Sequence, residues 1–76
     1  MSSERIRELN YQIKRVELDI KNLERTIEVK RRNKLLDPEI ENELRGKISE
    51  KRSDISGLQA EIRRIENEAI RAQNMA

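Results

Sequence analysis

The apolar residues of the first half fall at Ile6, Leu9, Ile13, Val16, Ile20, Leu23 and Ile27. The steps between them alternate three, four, three, four without a break. That spacing keeps every member on one narrow stripe of an α-helix, with Ile6, Ile13, Ile20 and Ile27 at heptad position a and the others at d. A stripe of this kind leaves water only by lying against another. A second one begins after residue 40, at Leu44, Ile48, Ile55, Leu58, Ile62 and Ile65, and runs on in register to Ala69 and Ala72. Its single gap is Lys51, which stands at a d position.

The two stripes can be tested against each other by arithmetic. In an antiparallel helix pair each a residue meets a d residue, and the paired residue numbers share one constant sum. The pairs Ile27–Leu44, Leu23–Ile48, Ile20–Lys51, Val16–Ile55, Ile13–Leu58, Leu9–Ile62 and Ile6–Ile65 all obey it. Continued toward the middle of the chain, the same rule pairs Lys30 with Glu41, two opposite charges. The sequence therefore predicts an all-α protein, an antiparallel helical hairpin of two long helices with coiled-coil-like heptad packing. A continuous helix kinked at Pro38 is the other reading, and it does not require the match. The composition is 42% charged and 34% hydrophobic, which without a period reads as disorder. The heptad period reverses that reading.

The connection is written in VKRRNKLLDPEIENE, residues 29–43. Asp37 is a good N-cap and Pro38 suits the first helical position. The residue before a proline avoids helical geometry, so the first helix must stop before Asp37. Asn33 is the expected left-handed residue at its end. Basic residues in a last turn and acidic ones in a first turn both oppose the helix dipole, so one structural cause accounts for both charge clusters. Ser2 and Ser3 are expected to cap the first helix, with Glu4 in its first turn. The chain reads as one helical-hairpin domain over 1–76, with helix 1 at about 3–34, a turn at about 35–37 and helix 2 at about 38–74. The initial Met favours a complete small protein. Within the second helix, Gly46, Ser49, Ser53, Ser56 and Gly57 are weak helix formers, and Ser56 with Gln59 resembles a capping box. The unbroken register through Ile48 and Ile55 favours one continuous helix. These small residues fall at b, c and f, either simply exposed or open to a close-packed neighbour.

The 76 residues include no Cys and no His, so disulfides and cysteine-ligated zinc are excluded. No nucleophile with its base, no glycine-rich phosphate loop and no pocket can be read from the pattern. Carboxylates spaced by four, such as Glu24 with Glu28 and Glu39 with Glu43, read as solvated or paired charges. The expectation is a protein that is not an enzyme, with no catalytic, cofactor or metal residues. No apolar run reaches the roughly 18 residues of a membrane span and no signal peptide is visible. An intracellular, cytoplasmic protein without membrane contact is expected.

A two-helix seam buries little, and chains of this size rarely stand alone without staples, metals or association. Apolar residues off the seam mark a second contact surface: Tyr11 and Leu18 at f, Val29 at c, and Ile40 and Ile70 on the second helix. Self-association is expected, a dimer being favoured and a four-helix bundle being its simplest form, or else docking on another protein. Lys51 in the seam either packs its stem and sends its amine to a carboxylate, or selects against other registers.

Leu35 to Glu39, Leu-Leu-Asp-Pro-Glu, resembles the turn of the small two-helix aspartyl-phosphate phosphatases that act on sporulation response regulators. Their second helix carries a Ser-Gln-x-Leu-Asp motif, and Ile40 to Gly46 lacks it, so the resemblance implies the turn and not the activity. The alternative function is nucleic-acid binding, the architecture being similar to that of plasmid-encoded RNA-binding hairpin dimers. Phosphates would then meet Lys30, Arg31, Arg32 and Lys34, extended by Lys14, Arg15, Lys21 and Arg25. Interleaved Glu residues and a net charge of only +2 weigh against it.

Overall fold

The computed structural model describes residues 2–75. It contains two α-helices and, among the described residues, no strand. α1 spans Ser2–Arg32 and α2 spans Pro38–Met75. The helices pack side by side in an object of 62 × 17 × 11 Å. Three contacts between helices fix their relative direction. Arg31 lies 3.8 Å from Glu41, Arg52 lies 4.0 Å from Glu24, and Lys51 Nζ lies 3.7 Å from Asp19. From the Arg31–Glu41 pair to the other two, numbers rise along α2 as they fall along α1, so the helices are antiparallel. Exposed ion pairs of this kind add at most about 1 kcal/mol each, and they record the register more than they hold it.

α1 ends in a Schellman closure. The Asn33 N–H still donates to the Val29 carbonyl at 3.1 Å, as in a regular last turn. The Lys34 N–H then donates back three residues to Arg31 at 3.1 Å, and the Leu35 N–H reaches back five to Lys30 at 2.8 Å. That pair of bonds satisfies carbonyls the helix end would otherwise leave open. The left-handed residue is Lys34, with φ of 58°, not Asn33 as expected. Asn33 keeps its helical bond, so the reversal falls one residue later. α1 accordingly stops at Arg32, two residues short of the expected end. Ser2 and Ser3 already lie within α1, so they do not cap it.

α2 begins as the sequence implies. The Asp37 Oδ1 accepts from the Ile40 N–H at 2.8 Å, and the Asp37 carbonyl accepts from the Glu41 N–H at 2.9 Å. Pro38 takes the first helical position, where its missing N–H is not needed. From there α2 runs unbroken through Gly46, Ser56 and Gly57, so the capping-box alternative is not used. A Cβ added at either glycine would meet nothing within 4 Å.

Among the described residues five apolar side chains are buried: Leu9, Ile13, Ile20, Ile27 and Ile48. Ile6, Val16, Leu23, Leu44, Ile55, Leu58, Ile62 and Ile65 are half-buried. From Ile6 to Ile65 every apolar residue of the two stripes is thus shielded at least in part, while positions opposite them are exposed. Nearest the turn, Ile20, Ile27 and Ile48 form one cluster, with Val16, Leu23, Leu36, Leu44 and Ile55 packed on it. Leu36 comes from the connection and lay outside the heptad pattern. Ala69 and Ala72 continue the α2 stripe but are exposed, because that stretch of α2 runs to the level of Ser2 and past it.

Candidate interaction surface

The face of α1 turned away from α2 is set by the heptad. Positions b, c and f lie opposite a and d, so side chains there project outward. Tyr11 and Leu18, one heptad apart at f, are 62% and 58% exposed. Around them stand six exposed cations: Arg7, Lys14, Arg15, Lys21, Arg25 and Arg32. None of these six makes an ion pair among the described residues.

The acidic residues of α1 are placed differently. Glu8 and Glu28 share the outer face, but Glu8 lies 3.3 Å from Arg5 and Glu28 lies 3.2 Å from Arg31. Asp19 and Glu24 turn toward α2, where they meet Lys51 and Arg52. Of the six carboxylates of α1, Glu8, Asp19, Glu24 and Glu28 are engaged and Glu4 and Glu17 make no ion pair among the described residues, while the six free cations line the outside together with Tyr11 and Leu18.

The outer face of α2 is the reverse in kind. From residue 39 to 60 it carries Glu39, Glu43 and Glu50 with Gly46, Ser49, Ser53, Gly57 and Ala60, all exposed. The three glutamates make no ion pair among the described residues. Beyond residue 60, Arg64 hydrogen-bonds to Glu61 and, at 3.0 Å, to Glu68. The bond from Arg64 holds Glu61 below the usual carboxylate range, and the same bond raises the Arg64 guanidinium.

The remaining expected contact residues do not form one surface. Val29 is 39% exposed and borders the same shallow depression as Leu35. These two are the positions whose apolar contact accompanies a Schellman closure, so Val29 has a local role. Ile40 is half-buried, whereas Ile70 is 53% exposed near the far end of α2. Leu35 at 62% and Met75 at 87% are exposed apolar residues that the heptad reading passed over.

The basic cluster disperses. Successive helical residues turn by about 100°, so Lys30, Arg31 and Arg32 point three ways. Lys30 is half-buried, Arg31 lies between Glu28 and Glu41, and Lys34 forms the left-handed turn. Arg32 alone joins the outer cations.

This chain matches no family model, no curated protein and no solved structure.

Among the described residues no helix is long and apolar enough to cross a membrane, and no three His, Cys, Asp or Glu residues stand together as a metal site. The grooves along the helix pair are shallow and open. In the one beside the turn, Ile27 and Ile48 form the floor under a rim that includes Glu24, Arg45 and Arg52.

Proposed function

We propose that this protein is a non-enzymatic coiled-coil interaction module, which works by joining helix faces to a second copy or to another protein. The observation that carries this reading is the pair Tyr11 and Leu18, more than half exposed and one heptad apart on the face opposite the buried stripe. Single exposed apolar residues are ordinary, but two large ones in register on an outer face form a contact strip. The seam supports the same reading, since five buried side chains are a small core for a free-standing chain. A four-helix bundle of two hairpins is the compact form of self-association.

The test is the solution mass of the purified chain by light scattering across micromolar concentrations, followed by a pull-down. A mass above the monomer, or capture of a specific protein lost in Tyr11→Ser/Leu18→Ser, is the expected result. A folded monomer that captures no protein overturns the reading. Binding of the basic cluster to nucleic acid is a separate outcome, visible as excess absorbance at 260 nm because the chain has one Tyr and no Trp.

A further inference from the structure

Resting on that reading, we infer that the occupant of the outer face of α1 is the outer face of α2 from a second copy, in a head-to-tail contact. Three observations converge on it. The α1 face is cationic and carries large apolar groups, whereas the α2 face over 39–60 is acidic and lined by small residues. The two α1 faces cannot pair with each other without setting free cations against free cations. The α1 and α2 faces also fit residue by residue when laid antiparallel, one heptad out of step with the register inside the hairpin.

In that alignment Leu18 faces Gly46 and Tyr11 faces Ser53, a large side chain over a small one in both cases. Lys14 faces Glu50, Lys21 faces Glu43 and Arg25 faces Glu39. All six of these charged groups are exposed and without an ion pair among the described residues. Nothing lies within 4 Å of where a Gly46 Cβ would stand, so the backbone there is open to an approaching side chain. Because the two surfaces differ, the contact is heterologous, and each copy uses one edge to receive and the other to give. Tyr11 and Leu18 point directly away from the seam, so a helix covering them continues the pair edge to edge. A closed bundle instead places its neighbouring helices about a quarter-turn apart.

The experiment is a charge exchange on the full chain, read by light scattering and sedimentation, with circular dichroism to confirm that each variant keeps its helices. Lys21→Glu and Glu43→Lys alone are each expected to lower the association constant at least tenfold. Mixing the two variants, or combining them in one chain, is expected to restore it, and raising salt to weaken the unmodified assembly. If the chain associates but neither single exchange changes its mass, the edge contact is overturned while self-association stands. If the unmodified chain stays a folded monomer, both self-association and this contact fall, and the pull-down alone then decides whether the outer face of α1 meets another protein. If Lys21→Glu removes binding to a nucleic-acid duplex and changes no mass, the cations serve phosphate and the inference is also overturned.

Discussion

Lys34 holds a backbone conformation that suits glycine, with φ of 58°. A side chain in the left-handed region costs roughly 1 kcal/mol. Lys34→Gly is therefore expected to raise the stability of the hairpin by up to about 1 kcal/mol, and Lys34→Val to lower it, both measured by urea unfolding. Asp37 presents the opposite case, a residue matched to its place. Removing its side chain leaves the Ile40 N–H without its 2.8 Å partner, so Asp37→Ala is expected to cost about 1 kcal/mol. Asp37 was legible in the sequence because capping chemistry admits few residue types. Lys34 was not, because the left-handed position is set by where the last helical bond closes, and Asn33 offered the better local preference.

At the scale of the elements, the two helices were legible because apolar residues spaced by three and four suit a helix and no strand. Leu36 was not, since a residue in a connection has no period to place it. Leu9 is 1% exposed, and Leu9→Ala is expected to destabilise by about 2–5 kcal/mol, enough to lower helicity outright in a chain this small. Gly57→Ala is expected to do the reverse, adding about 1 kcal/mol, because the added methyl meets nothing within 4 Å and the helix loses a weak point. Lys51 sends its amine to Asp19 at 3.7 Å while it occupies a seam position. Thermal melts of Lys51→Leu should show a gain in stability, with a mass distribution broadened by registers that the lysine excludes. Acid acts weakly here. Glu61 binds its proton less readily when folded, so its contribution is present above the usual carboxylate range and fades as pH falls through its depressed pKa. The pair with Arg64 lies at the surface, where water screens it, so that contribution is small, and Glu61→Gln should leave the melt near neutral pH almost unchanged.

For the whole molecule, the sequence shows how the chain folds back more readily than what meets its outer faces. Tyr11 and Leu18 stood out from their place in the heptad. The sorting of charge around them needed the cross-helix partners of Asp19 and Glu24, which no linear pattern displays. The basic cluster at residues 30–34 looked like one patch in sequence and is splayed by the helical turn in space. The antiparallel arrangement has a mechanical side as well. The outer ends of both helices lie at the same end of the molecule, so a load pulling them apart meets the seam one layer at a time. Such a molecule unzips under low force instead of shearing all its layers together. Its weak rung is already visible where Lys51 stands at the level of Ile20, and a pulled hairpin should pause on the layers nearest the turn, those of Leu23, Ile27, Leu44 and Ile48, only after that rung has opened.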